Sequence, residues 1–89
     1  MNLYLIHQTA NCEPGACDCA VVAAETYEDA RDVNPAYAEL VKIDWEQERV
    51  HPRWTLNWVM DRDAIKVKFL GHADPRVTGG VICASFIPN

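Results

Sequence analysis

Three cysteines crowd into eight residues, at Cys12, Cys17 and Cys19, with a fourth far off at Cys83 and histidines at His7, His51 and His72. Thiolate and imidazole are the side chains that hold zinc, and a thiol beside an imidazole is a pair that makes a nucleophile. Spacing decides against both. Structural zinc sites take two knuckles whose ligands stand two to four residues apart. Cys12 and Cys17 have four residues between them, Cys17 and Cys19 only one, and no second knuckle follows. Cys17 and Cys19 would have to grip an ion from one face of a strand. For nucleophilic catalysis, His7 must approach the cysteine turn, yet no glycine-rich or oxyanion-forming context flanks these residues. Cys12 and Cys17 also bracket the Pro14-Gly15 turn at a separation that suits a disulfide, which a reducing cytoplasm disfavours. The cysteines therefore read as small buried or rim residues. No metal, cofactor or catalytic residue is expected.

Two other groups carry recognition rather than reaction chemistry. Trp45, Trp54 and Trp58 stand out in a chain with only 9% aromatic residues, and tryptophan is enriched at binding hot spots. Trp54 and Trp58 read as core, while Trp45, set among Asp44, Glu46 and Glu48, reads as the surface candidate. The second group is the acids. The chain carries thirteen acids and eight bases, a net charge of −5. Between residues 25 and 48 stand Glu25, Glu28, Asp29, Asp32, Glu39, Asp44, Glu46 and Glu48, against only Arg31 and Lys42. Such a field repels phosphate, so nucleic acid is not an expected direct partner. A protein with a basic surface is, and Glu39, Asp44, Trp45, Glu46 and Glu48 are the residues expected to meet it.

These groups must be positioned by a small fold. Cys19 to Ala24 is a continuous small-apolar run, the composition of a buried strand. Thr26 then offers an N-cap oxygen, with Asp29 three residues on as a short capping-box partner. Tyr27, Ala30 and Val33 recur on one face of a short helix, and Pro35 ends it. Before this unit, Asn2 to Thr9 reads as a strand, and Asn11, Pro14 and Gly15 make the turn. After it, residues 34–53 are a variable segment. Asn34-Pro35 opens either a second short helix reaching about Ile43, lined by Tyr37, Leu40 and Val41, or a loop, and Glu46 to Arg53 reads as an exposed connection. Trp54, Leu56 and Trp58 alternate with Thr55 and Asn57 as a strand. Ile65, Val67 and Phe69 alternate with Lys66 and Lys68 as another, and Val81 to Ile87 is the last.

The expected fold is α+β: one domain over residues 1–89, with an antiparallel sheet of four to five strands and one or two short helices on one face. The strand order along the chain is β-β-α, a variable segment, then β-β-β, and pairing of the first and last strands at the centre would bury both apolar runs. Val22 and Phe69 are the expected core. A chain of 89 residues buries roughly 60–65% of its unfolded surface, enough for one modest core. Neither a signal peptide nor a run of membrane-spanning length is legible, so the expected compartment is the cytoplasm, with reduced thiols.

The stretches AVVAAETYEDARDVNP, WVMDRDAIKVKFLGHADP and GGVICASF together resemble a family of small proteins encoded by bacteriophages and prophages. Members run from an AVV-type strand into a Glu-rich helix with Ala-Arg. They continue with Trp-Val before an alternating strand ending in Gly, and close on Gly-Val-x-x-Ala-Ser-Phe. The match covers most of the chain at both ends, while residues 36–53 fall where the family varies. Cys17 and Cys19 stand where polar residues or tyrosine would be expected, and the chain closes on Ile87-Pro88-Asn89. The resemblance implies a phage context and a shared fold, and it brings no reaction. The expected function is a non-enzymatic phage protein that binds a host protein in the host cytoplasm, a host-defence inhibitor of the anti-CRISPR kind. The alternatives are an accessory module in phage regulation or assembly, working as a homo-oligomer, and a small zinc-stabilised binding module.

Overall fold

The first strand lies inside the sheet, but not beside the last. In a computed structural model, which describes residues 1–36, 42–51 and 57–88, β1 (Asn2–His7) pairs antiparallel with β2 (Cys17–Ala24) and β3 (Lys66–His72). A fourth strand, β4 (Gly80–Phe86), adds to the far side of β2, giving the order β3-β1-β2-β4. The fold is thus α+β, with a four-stranded antiparallel sheet and two short helices among the described residues. The expected central pairing of first and last strands does not form. β2 takes the second inner place because its Ala-Val-Val-Ala run is small and apolar on both faces, whereas β4 leaves Ile82 and Phe86 about half exposed at the edge.

Alternation sorts the side chains into two faces. Tyr4 and Ile6 stand opposite Val22 and Ala20 on β2, and opposite Phe69 and Val67 on β3. This is the covered face. Onto it pack α1 (Tyr27–Arg31), through Ala30 and the following Val33, and the chain carrying Ile43, Trp58, Val59 and Ile65. Thr26 caps α1 as its position predicts, its hydroxyl accepting from the Asp29 amide at 3.1 Å. Of the three residues expected to face the sheet, Ala30 and Val33 are fully buried, while Tyr27 is half exposed with its ring 5.1 Å from that of Tyr4.

Two expectations need correction here. Val22 is fully buried, but Phe69 is 42% exposed. Phe69 sits on β3, which no further strand flanks among the described residues, and meets Tyr4 edge-on at 5.9 Å. It is a rim residue. The stretch read as an exposed connection also contains a helix, α2 (Trp45–Val50), capped by Asp44, whose carboxylate accepts from the Gln47 amide. Its sequence is polar because five of its six residues are half or fully exposed, and it is pinned by side chains rather than by an apolar stripe. Tyr37, Leu40 and Val41, expected to line a helix or loop, lie outside the described residues, as do Trp54 and Leu56 of the expected additional strand. Trp58, its last residue, lies in a bend and is fully buried.

Candidate functional site

The thiols are dispersed in character. Cys17 is fully buried, donates to the Cys19 carbonyl, and is pushed up to about 11, first by burial and then by Asp18 and Cys19. Cys19, half-buried, is raised by burial, by Asp18 and by Cys83. Neither is a thiolate near neutral pH, so neither is poised to attack, although the register places His7 directly across from Cys19. Cys12 and Cys83 are exposed, and all four thiols are free. Among the described residues no group of three or more His, Cys, Asp or Glu side chains is placed to hold a metal. Native protein treated with excess alkylating reagent near pH 8 is expected to modify Cys12 and Cys83 first. Cys17 should react last, and only on unfolding, in a mass-spectrometric time course. Equal rates at Cys12 and Cys17 would contradict the burial of β2. The Cys17 proton also links to stability: the unfolded thiol ionises from 9.0 and the folded one only near 11. Its contribution is therefore complete below 9 and lost as pH rises through that window.

The acids form a more coherent feature. Glu39 lies outside the described residues. Asp44 caps α2 and is exposed, and Glu46 in the first turn is exposed, 3.7 Å from Arg49. Glu48 departs from expectation: it is 1% exposed. Residues three apart share a helix face, so the face that turns Trp45 inward takes Glu48 with it. Glu48 is therefore not part of an accessible acidic surface. Trp45 is itself half-buried against the core, and its indole N–H donates to Asp32 Oδ1 at 2.8 Å. The same oxygen accepts from Arg62 Nε at 2.7 Å. One carboxylate at the end of α1 thus ties down both α2 and the single-turn 3-10 helix Arg62–Ala64.

That tie brings in two acids, Asp61 and Asp63, that are not among the residues expected from the sequence to meet a partner. Asp61 and Asp63, with Met60 and Arg62, share a polar hollow of about 530 Å³ with Trp45, Glu46 and Arg49. Asp61 caps its own turn by accepting from the Asp63 amide. Because Asp32 offsets Arg62, the carboxylates of Glu46, Asp61 and Asp63 at this hollow are left, among the described residues that line it, with Arg49 as counter-charge. Met60, 58% exposed, also borders a neighbouring apolar hollow of about 390 Å³ lined by Ala10, Asn11, Trp58, Val59 and Ala64. An exposed thioether flanked by an apolar hollow and an acidic one has the anatomy of a contact surface: an adaptable apolar centre with a charged margin. The alternating charges of Asp61-Arg62-Asp63 were the available signal, but nothing in the sequence joins them to a helix some fifteen residues earlier.

No helix among the described residues is long and apolar enough to cross a membrane. Set against protein-family profiles, curated proteins and solved structures, the chain matches none of them.

Proposed function

We propose that the chain is a non-enzymatic binding protein whose acidic end, Asp44 and Glu46 together with Asp61 and Asp63, docks onto a basic surface of a host protein. The observation that carries this reading is the charge imbalance there: Glu46, Asp61 and Asp63 line a polar hollow with Met60, Asp44 caps the adjoining α2, and Arg62 is already matched by Asp32. Carboxylates so placed stand in for phosphates toward a groove that handles nucleic acid, and they steer the encounter from a distance. Together with the phage resemblance, this supports a protein acting in the host cytoplasm as a host-defence inhibitor of the anti-CRISPR kind.

The experiment is a quantitative capture from host lysate with charge-reversed variants. Glu46→Lys combined with Asp63→Lys leaves both capping residues, Asp44 and Asp61, in place. It is expected to reduce capture of the specific partner at least about tenfold. Reversing Glu25 and Glu28, exposed at the α1 side of the molecule, is expected to change it less than about twofold, since isolated surface charges contribute little. Asp29 would be a poor control, because it is half-buried and paired with Lys42 at 3.1 Å. Equal capture by all variants would remove the acidic end from the interface.

A further inference from the structure

The apolar hollow of about 390 Å³ and the acidic one of about 530 Å³ share two lining residues, Met60 and Asp61. Burial grades the apolar hollow from floor to rim. Trp58 and Val59 lie at its floor, 0% and 3% exposed, while Ala10, Met60 and Asp61 are exposed at its rim. Hydrogen bonds brace it from both sides. Asn11 Nδ2 donates to the Trp58 carbonyl at 2.8 Å, joining the turn after β1 to the bend. The Ala64 amide donates to the Asp61 carbonyl at 3.0 Å, closing the 3-10 turn on the other side. A hollow held this way exists before anything enters it, so little order has to be imposed on binding. Its volume falls in the range of roughly 300–1,000 Å³ at which pockets take ligands. Among the described residues that line it, Asp61 has the only ionisable side chain. That carboxylate is engaged among the described residues by the Asp63 amide, at Oδ1, which leaves Oδ2 open to a donor.

We infer that this hollow takes a large apolar side chain from a short partner segment in which arginine or lysine stands beside it. This rests on the acidic end being the docking surface, and it names what that surface recognises. An aromatic anchor suits the floor and the Met60 thioether, which favours an aromatic neighbour. Charge complementarity decides what flanks the anchor. Residues next to it start one Cα step away, about 3.8 Å, and their side chains reach the acidic hollow across the shared border. There they meet Asp61 Oδ2, Asp63 and Glu46, while Arg62 is already held by Asp32 at 2.7 Å. A cation finds open carboxylates at this border, and an acidic neighbour meets like charge. The two hollows then divide the work. The desolvated anchor holds the complex together, and the surrounding charges speed its formation.

Capped tripeptides, titrated into the full chain and followed by NMR at about 50 mM salt, test this. Acetyl-Arg-Phe-Arg-amide is expected to shift the Trp58 indole and Met60 methyl resonances, with a Kd on the order of 1 mM. Acetyl-Arg-Ala-Arg-amide should bind at least about tenfold more weakly, because it buries no ring. Acetyl-Glu-Phe-Glu-amide should give no shift. Ala10→Phe is placed to fill the hollow from its rim, and Met60→Ser removes its apolar lip. Both positions are exposed, so the fold should tolerate either change. Each variant should weaken the Phe peptide about tenfold. Equal binding of the Phe and Ala peptides, or full binding by both variants, overturns the inference. The acidic end stands apart from that result if Glu46→Lys with Asp63→Lys still weakens both arginine peptides, and fails on its own if that variant binds them as the parent does. A glutamate peptide that binds as well as the arginine one would show a hollow open to any apolar group. That outcome, or no shift with any peptide, also overturns the inference.

Discussion

Replacing Val22 by Asp is expected to abolish the cooperative thermal transition. Val22 is fully buried in the middle of β2, opposite Tyr4 on β1 and Val81 on β4. Aspartate there has no cationic partner among its cross-strand neighbours, so it must either remain charged in an apolar layer or take up a proton to become neutral. Either route costs several kcal/mol. A domain of this size has about 5–10 kcal/mol in total, and the change removes a large fraction of it. Val22→Thr, close in shape and uncharged, should cost only about 1–3 kcal/mol. Phe69→Ala gives the contrast within the same sheet. Its ring is 42% exposed, so a cost of about 1–2 kcal/mol is expected instead of the 3–5 kcal/mol of a fully buried phenylalanine. Circular dichroism melts of the three variants check the ranking. An Asp variant melting with the parent would show that β2 does not occupy an inner position.

The second large effect is at Trp58. It leads the fully buried side chains in volume, and its carbonyl accepts from Asn11 Nδ2 at 2.8 Å, tying the bend to the turn after β1. Trp58→Ala should cost about 3–5 kcal/mol through lost burial and the cavity left behind. Trp58→Phe separates two opposing terms. It removes part of the ring volume, but it also removes an indole N–H that is buried with no hydrogen-bond partner among the described residues. Such a donor costs about 1–3 kcal/mol. The two terms nearly cancel, and the Phe variant is expected within about 1 kcal/mol of the parent. Denaturant unfolding of both variants measures this. A Phe variant as unstable as the Ala variant would show that the N–H is satisfied in solution.

What was legible in the sequence follows from how local each signal is. The β1 and β2 runs, the Thr26 cap and the buried pair Ala30 and Val33 are set by neighbours within a few residues, and each was found. Alternation over Ile65 to Phe69 identified a strand but overstated its burial, because a period of two says which residues share a face and not whether the strand lies at an edge. α2 was hidden for a different reason. Of its apolar residues, Val50 is 70% exposed, and Trp45 is fixed by Asp32, thirteen residues earlier. No apolar stripe marks such a helix. The acidic end was half legible: Asp44 and Glu46 stand in an obvious run, Glu48 in the same run faces inward, and Asp61 and Asp63 join only because Arg62 reaches Asp32.

The acidic end as a steering surface is tested most directly by the association rate with the captured partner, measured against ionic strength. The Debye length falls from about 14 Å at 50 mM salt to about 4 Å at 500 mM, so long-range attraction is largely removed over this range. The account predicts that the association rate falls at least about tenfold while the dissociation rate changes little. It also predicts that Glu46→Lys with Asp63→Lys flattens this dependence. An association rate that stays constant across the range, with the doubly reversed variant binding as fast as the parent, would contradict it.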